Sequence, residues 1–216
     1  MSTINSNLAD MRRNYSLKSL DESSVKQNPF DQFEIWFSEV LNSEILEPNA
    51  MILATTSSDL KPSARTVLLK AFDKTGFTFY TNYESKKSAD IKSNPNVSLV
   101  FLWKEIERQV RINGSAIKVS EEESKKYFDT RPIESKIGAW ASAQSSIIPD
   151  RKSLEEKFEL YKQKFSDGNI PLPPNWGGYK VVPDYFEFWQ GRQSRLHDRV
   201  CYEKDSDEWN IHRLAP

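Results

Sequence analysis

Short β-rich runs separated by turn residues constrain the fold of this chain more than any other feature. Nine such runs occur, at 50–56, 64–72, 77–82, 97–103, 109–119, 179–182, 185–190, 197–203 and 208–213. The clusters Ser57–Asp59 and Asp73–Gly76 are typical of hairpin turns. So many short strands predict a closed or partly closed β-barrel, because closure removes exposed sheet edges.

Helical segments between the strands place the chain in the α+β class. One predicted helix begins at Pro29, and another, over 85–92, is capped by Ser85. Capping boxes that begin at Ser120 and Ser153 predict helices over 121–129 and 154–165. A further helix is predicted over 135–143. Residues 1–28 are polar and lack apolar periodicity, which predicts a flexible arm before a single domain at 29–216.

Composition argues against several functional classes. The 30 basic and 31 acidic residues give a net charge of −1, which is too balanced for a dedicated nucleic-acid binder. A single cysteine, Cys201, excludes an internal disulfide, and His197 and His212 lack metal-ligand spacing, so no metal site is expected. The seven glycines form neither the Rossmann pattern G-x-G-x-x-G nor the P-loop pattern G-x-x-x-x-G-K-[ST] of nucleotide-binding proteins. Without an apolar spanning run or a signal-peptide pattern, we expect a cytoplasmic protein that does not contact membranes.

Two early segments combine cations with hydroxyl groups. Arg65 and Lys70 lie five apart, so they face opposite sides of the sheet if their strand is regular. Further along, Tyr80 and Thr81 lead into Lys86 and Lys87 at a predicted helix start, which is typical of a phosphomonoester site. The alternatives are solvated strand charges in the first segment and an ordinary helix cap with exposed lysines in the second.

Two later segments also indicate ligand binding. Tyr127, Arg131 and Ser135 are each four apart, and Pro132 predicts a turn that brings them together as a phosphate cradle. The alternative is a core Tyr127 and an exposed Arg131. The stretch from Trp189 to Arg199 places three arginines and a histidine around one glycine, an unfavourable arrangement unless a polar or anionic ligand is bound. There, His197 and Arg199 share a face if their strand is regular.

Taken together, these segments closely resemble the pyridoxine (pyridoxamine) 5′-phosphate oxidase family. The match runs in order through most of the chain. Its motifs include Met11-Arg12-x-x-Tyr15, Arg65-x-Val67-Leu68-Leu69-Lys70, Phe79-Tyr80-Thr81-Asn82, Arg108-Gln109-Val110-Arg111, Tyr127-Phe128-x-x-Arg131-Pro132, Trp176-Gly177-Gly178, Glu187-Phe188-Trp189-Gln190-Gly191, Arg195-Leu196-His197-Asp198-Arg199 and Arg213-Leu214-Ala215-Pro216.

The resemblance implies an FMN-binding split β-barrel with flanking helices, working as a homodimer with each active site at the subunit interface. The implied FMN contacts are Arg65, Thr66, Val67, Leu68, Leu69, Lys70, Tyr80, Thr81, Lys86, Lys87, Gln109, Gln144, Ser145, Trp189 and Arg199. The implied substrate contacts are Arg12, Arg13, Asn14 and Tyr15 in a mobile lid, with Lys70, Tyr127, Arg131, Ser135, Arg195, Leu196 and His197. Lys86 stands where the family usually has arginine. An ammonium point charge therefore replaces a guanidinium that could bind a phosphate through two hydrogen bonds.

The implied activity is oxidation of pyridoxamine or pyridoxine 5′-phosphate to pyridoxal 5′-phosphate in vitamin B6 metabolism. A hydride would pass from the substrate's C4′ to flavin N5, and O2 would accept the electrons as H2O2, with ammonia released from the amine. Arg195 and His197 are the implied catalytic residues. The alternative is a non-catalytic split-barrel protein that binds flavin or pyridoxal phosphate. Two features favour the enzyme: the Arg195 and His197 pair, and the second predicted phosphate site, which is formed by Tyr127, Arg131 and Ser135.

Overall fold

The computed structural model describes residues 14–216, so Arg12 and Arg13 lie outside the described residues. The described part contains five α-helices: α1 Pro29–Leu41, α2 Lys86–Ser93, α3 Glu121–Thr130, α4 Ile133–Ala141 and α5 Arg151–Lys164. Its strands are β1 Ala50–Thr56, β2 Pro62–Leu68, β3 Ala71–Asp73, β4 Gly76–Asn82, β5 Asn96–Trp103, β6 Arg108–Lys118, β7 Trp176–Gln190, β8 Asp198–Asp205 and β9 Glu208–Arg213. The predicted α+β class is confirmed.

The nine strands form one sheet in the order β2-β1-β5-β6-β7-β4-β3, with β8 paired to β7 and β9 paired to β8. The hairpins β1–β2 and β3–β4 are antiparallel, as predicted from their turns. The chain divides into two compact units. Within the described residues, the terminal unit comprises 14–48, 100–112 and 185–216, and the central unit comprises 49–99 and 113–184.

Aromatic side chains build the core of the terminal unit. Helix α1 begins where predicted, with Pro29 in its first turn and Asn28 Oδ1 accepting a hydrogen bond from the Phe30 N–H at 2.9 Å. Its buried face places the Phe33 ring 5.1 Å from Phe101 and the Trp36 ring edge-on to Phe188. This packing anchors α1 against the ends of β5 and β7.

The helices of the central unit lie close to the predicted positions, but their caps differ. Ser120 accepts a hydrogen bond from the Glu123 N–H at 3.0 Å, which confirms Ser120 as the cap of α3. The second prediction was wrong, because α5 begins at Arg151 and its cap is Asp150. The Asp150 carboxylate accepts the Ser153 N–H at 2.8 Å, so Ser153 lies inside the first turn rather than before it.

The predicted strand 64–72 is interrupted in the structure. Strand β2 ends at Leu68, and β3 begins at Ala71. Between them the Leu69 N–H donates to Asn49 O and the Lys70 N–H to Thr78 O, both at 2.9 Å. The prediction that Arg65 and Lys70 belong to one strand was therefore wrong, because local backbone partners redirect the chain at Leu69.

Two predictions about the last strands also need correction. The separate runs 179–182 and 185–190 form one long strand, β7, which passes through Pro183. Strand β8 begins at Asp198, so His197 precedes the strand and does not share a regular strand face with Arg199. The sequence pattern places strands well, but it locates their ends less reliably.

A close backbone approach in the central unit gives a stability test. A Cβ on Gly114 of β6 would lie 2.2 Å from Val182 O, whereas a Cβ on Gly138 in α4 would meet nothing within 4 Å. We expect Gly114→Ala to lower the free energy of unfolding by about 1–3 kcal/mol through overpacking. Gly138→Ala should raise it by roughly 0.5–1 kcal/mol, since alanine favours helix. Urea denaturation measures both, and a parental midpoint for Gly114→Ala would contradict the close approach.

Candidate functional site

The central unit contains a cavity of about 700 Å³, a volume typical of small-molecule sites. Its described lining residues are Thr66, Val67, Leu68, Lys70, Tyr80, Thr81, Asn82, Lys87, Tyr127, Thr130, Arg131, Pro132, Ser135, Gly138, Ala139, Ser142, Gln144 and Trp176. Three of them, Lys70, Lys87 and Arg131, are cations, and none of the described lining residues carries a carboxylate. The cavity is therefore electropositive and suited to an anion.

One corner of the cavity is organised around the Lys87 ammonium. Its Nζ donates to Gln144 Oε1 at 2.8 Å and to Thr81 Oγ1 at 3.0 Å, and Ser85 Oγ lies 3.2 Å away. These acceptors are neutral, so they position the ammonium without cancelling its charge. Burial, assisted by the nearby positive charge of Arg65, lowers the pKa of Lys87 to about 8.

The helix behind this corner begins at Lys86, as predicted, with Ser85 in the capping position. The Ser85 hydroxyl makes no cap hydrogen bond and instead lies 3.2 Å from Ser88 Oγ. The positive end of the α2 dipole thus lies beside Lys87, where it adds to the attraction for an anion.

Stacked aromatic rings form another wall of the cavity. The Tyr80 and Tyr127 rings are nearly parallel with centroids 4.0 Å apart, and the Tyr80 and Trp176 rings are 5.4 Å apart at 7°. Burial raises the pKa of Tyr80 to about 12, so this phenol keeps its proton at neutral pH. The wall is therefore flat and uncharged.

The Arg131 guanidinium lies against this wall, 4.9 Å from the Trp176 ring centre. Its Nη1 is buried and has no hydrogen-bond partner within the described part of the chain. Burial also lowers the pKa of Arg131. A buried cationic donor without a partner is costly unless a ligand completes it, so this atom fits an anionic group.

The predicted convergence of Tyr127, Arg131 and Ser135 is confirmed, because all three line this cavity. Helix α3 ends at Thr130, and Pro132 occupies the capping position of α4, so the chain turns at Arg131 instead of continuing as a helix.

Arg65 and Lys86 are not among the cavity-lining residues. Arg65 Nη1 donates to Leu53 O at 3.0 Å and to Thr55 Oγ1 at 2.7 Å. Its Nη2 lies 3.8 Å from the buried carboxylate of Asp90, which the Lys86 ammonium also approaches at 3.2 Å. In this structure the two cations neutralise Asp90, and their predicted contacts with FMN stay predictions.

A second set of predicted residues lies together in the terminal unit. The Trp189 and His197 ring centres are 4.6 Å apart, and the Tyr15 ring meets both edge-on at 5.8 and 5.6 Å. The Arg192 N–H donates to His197 Nδ1 at 3.1 Å, so the neutral imidazole carries its proton on Nε2. Burial and the neighbouring Arg195 lower the pKa of His197, which favours this neutral form.

Arg199 is held by a carboxylate that sequence reasoning did not assign. Its Nε and Nη2 donate to the two oxygens of Glu187 at 2.9 and 3.0 Å, and Arg111 reaches the same carboxylate at 3.2 Å. Burial opposes the charge, but the Arg199 hydrogen bonds and both guanidinium charges hold the pKa of Glu187 below its ordinary value. The signal in the sequence was an acidic residue between two phenylalanines, Phe186 and Phe188, which the structure buries.

The other predicted site residues are placed as follows. Leu69 is buried in the core, and Gln109 is half-buried on β6. Ser145, which follows Gln144, and Arg195 are exposed and have φ angles of 70° and 61°. Leu196 and Asn14 are also exposed. Their functional roles stay predictions. Sequence reasoning assigned no role to Asn82, Ser142 and Trp176 of the cavity, although Trp176 belongs to a motif that carried the resemblance.

Within residues 14–216, the His, Cys, Asp and Glu side chains form no group of three or more that could hold a metal ion. No helix in residues 14–216 combines the length and the apolar character needed to cross a membrane.

Comparison with known proteins adds family information. The chain matches the family profile described as pyridoxamine 5′-phosphate oxidase over residues 37–165, and that of the pyridoxine 5′-phosphate oxidase C-terminal dimerisation region over residues 176–216. A relative from Burkholderia lata named pyridoxine/pyridoxamine 5′-phosphate oxidase is 53% identical over 212 residues, which covers 97% of this chain and 99% of that relative.

Two solved structures share the fold. PhzG from Burkholderia lata, in complex with tetrahydrophenazine-1-carboxylic acid, has a TM-score of 0.87 and 28% identity over 93% of this chain and 100% of its own. A pyridoxamine 5′-phosphate oxidase-related, FMN binding protein from Nostoc punctiforme has a TM-score of 0.69 and 16% identity over 89% and 99% of the two chains. The predicted split-barrel fold is thereby confirmed, and the chain belongs to the pyridoxamine 5′-phosphate oxidase family.

Proposed function

We propose that this protein is an FMN-dependent oxidase that converts pyridoxamine or pyridoxine 5′-phosphate to pyridoxal 5′-phosphate. One observation carries the proposal: the central cavity combines Lys70, Lys87 and Arg131 with an uncharged aromatic wall, and Arg131 Nη1 has no partner in the described chain. Cations beside flat rings suit a ligand that joins a phosphate to an aromatic ring.

The Lys87 corner is suited to the phosphate of FMN. Lys87, Thr81 and Gln144 already form one hydrogen-bonded group, and α2 begins beside them. A phosphate dianion there would receive an ammonium donor, a hydroxyl group and the helix dipole. The flavin-binding relative from Nostoc punctiforme supports the same cofactor.

The Arg131 wall is suited to the substrate phosphate. Arg131 would donate Nη1 to that phosphate, with Tyr127, Ser135 and Lys70 adding a phenol, a hydroxyl and an ammonium. Trp176 and Tyr80 hold Arg131 and Tyr127 by stacking. These contacts would fix one end of the substrate and so limit how its ring can lie.

The reaction would depend on orientation rather than on a protein nucleophile. When bound, FMN supplies a two-electron acceptor for the hydride that leaves the substrate's C4′, and the electrons pass to O2 as H2O2. His197 presents its Nε2–H and Arg195 its guanidinium, and both would hold the polar edge or face of the substrate ring.

We also propose a homodimer in which each active site takes residues from both subunits. The family profile that matches residues 176–216 describes a dimerisation region, and the earlier resemblance implies the shared site. Trp189, Arg195, His197 and Arg199 all lie within that region.

The choice of substrate rests on relatives from one organism. Burkholderia lata has both a protein named pyridoxine/pyridoxamine 5′-phosphate oxidase and PhzG. This chain is 53% identical to the former and 28% identical to the latter. The higher identity favours a phosphorylated pyridine substrate over a reduced phenazine carboxylic acid, which is the second candidate because the PhzG fold matches so well.

The first test is to purify the protein, record its flavin spectrum and measure peroxide release. We expect a yellow protein that releases H2O2 with pyridoxamine 5′-phosphate and pyridoxine 5′-phosphate. Turnover of a dihydro- or tetrahydrophenazine carboxylic acid alone would favour the second candidate. Bound flavin without turnover of any of these substrates would support the non-catalytic binding protein.

A second test uses the pKa of Lys87, which lies near 8. The phosphate of FMN is a dianion above about pH 6, whereas Lys87 loses its charge as the pH rises through 8. FMN affinity should therefore fall above pH 8, by up to tenfold per pH unit for one proton. Lys87→Met should bind FMN weakly and lose this pH dependence. Lys92→Met, on the exposed end of the same helix, is the matched control, and an unchanged pH profile in Lys87→Met would remove Lys87 from the phosphate site.

A third test separates catalysis from binding. Arg195→Met and His197→Asn should keep FMN but lower kcat/KM for pyridoxamine 5′-phosphate at least tenfold, about 1.4 kcal/mol of transition-state stabilisation. Gln193→Ala, in the same exposed turn, controls for changes in the loop. Parental kinetics in both variants would leave the two residues without a catalytic role.

A further inference from the structure

We propose that Glu107 is a positioning residue that fixes Tyr15 against the Trp189 and His197 rings. Its kinetic consequence rests on the proposed function, whereas its structural consequence does not. No role in binding or catalysis was assigned to Glu107 by the sequence motifs. All four residues lie in the terminal unit.

The Glu107 side chain holds the backbone next to Tyr15. Glu107 is 3% exposed, and its Oε2 accepts the N–H groups of Ser16 and Leu17 at 2.9 and 3.1 Å. Hydrogen bonds from backbone N–H groups to a carboxylate are stronger than neutral ones, particularly when buried. Since Ser16 and Leu17 directly follow Tyr15, these bonds fix the position of the backbone from which the Tyr15 ring extends.

The Glu107 backbone holds the loop that Tyr15 contacts. Its carbonyl oxygen accepts the Gly191 N–H at 2.8 Å and Gln190 Nε2 at 3.1 Å. Glu107 itself has a φ of 58°, a left-handed conformation that costs free energy for a residue with a Cβ. One strained residue thus connects the segment around Ser16 with the turn at Gly191.

The Tyr15 ring fits the surface that this connection creates. A Cβ on Gly191 would lie 2.8 Å from Tyr15 ring carbons, so the ring lies directly over the glycine. From there it meets Trp189 and His197 edge-on. If the Glu107 carboxylate is removed, residues 15–17 lose two of their anchors, while the loop keeps its backbone bonds.

A separate anchor limits the release to this segment. The Leu20 N–H donates to Asp198 Oδ2 at 3.0 Å, and Arg213 Nη2 donates to Leu20 O at 3.0 Å. Neither bond involves Glu107. The chain from Leu20 onward should therefore stay in place when Glu107 is changed, which distinguishes local release from unfolding.

Amide hydrogen exchange on the full-length protein tests the anchor directly. In Glu107→Ala we expect the Ser16 and Leu17 amides to exchange at least tenfold faster, with the Leu20 amide unchanged. Glu107→Gln, which keeps an acceptor oxygen, should restore most of the protection. Glu105→Ala removes an exposed carboxylate from the preceding turn and is the matched control. Parental exchange at Ser16 and Leu17 in Glu107→Ala would overturn the proposal, as would equally faster exchange at Leu20.

Kinetics then test the positioning role. Glu107→Ala should raise KM for pyridoxamine 5′-phosphate at least fivefold with kcat and FMN occupancy near parental, because only the placement of Tyr15 changes. Faster exchange with an unchanged KM would overturn the role in substrate binding. If the parent protein does not oxidise this substrate, the proposed function fails, while the exchange result still decides the anchor. Should the alanine variant not fold, Glu107→Asp withdraws the carboxylate by one methylene group and is judged by the same readouts.

Discussion

The central cavity carries positive charge that no carboxylate among its described lining residues compensates. The charge comes from Lys70, Lys87 and Arg131. Several other cations of the central unit have a carboxylate partner: Arg65 and Lys86 share Asp90, and Lys180 reaches Asp73. An anion bound in this cavity would be attracted by all three positive charges and would compensate them.

Local backbone features hold these cations in place. The interruption between β2 and β3 places Lys70 outside a regular strand, and the turn at Pro132 keeps Arg131 out of the helix that precedes it. Lys87 is fixed by neutral partners that position its ammonium and leave the charge available. In the terminal unit, the buried carboxylate of Glu187 holds two arginines in place, Arg111 and Arg199.

The sequence predicted the fold class, all five helices and the convergence of Tyr127, Arg131 and Ser135. These features depend on local periodicity, caps and a proline, which a sequence displays directly. It did not predict the interruption at Leu69, which depends on a hydrogen bond to Asn49, or the Asp150 cap of α5. Nor did it predict the contacts of Glu107 with Ser16 or of Glu187 with Arg111, because these partners lie 91 and 76 residues away in the chain and become neighbours only on folding.

We propose that the cavity of the central unit binds a phosphorylated aromatic ring with Arg131 Nη1 as a direct phosphate donor. A crystal structure of the protein with FMN and pyridoxal 5′-phosphate tests it most directly. We expect a phosphate oxygen of the pyridine compound within about 3 Å of Arg131 Nη1, and the phosphate of FMN at Lys87. Pyridoxal phosphate bound elsewhere, with Arg131 Nη1 still unpartnered, would contradict it.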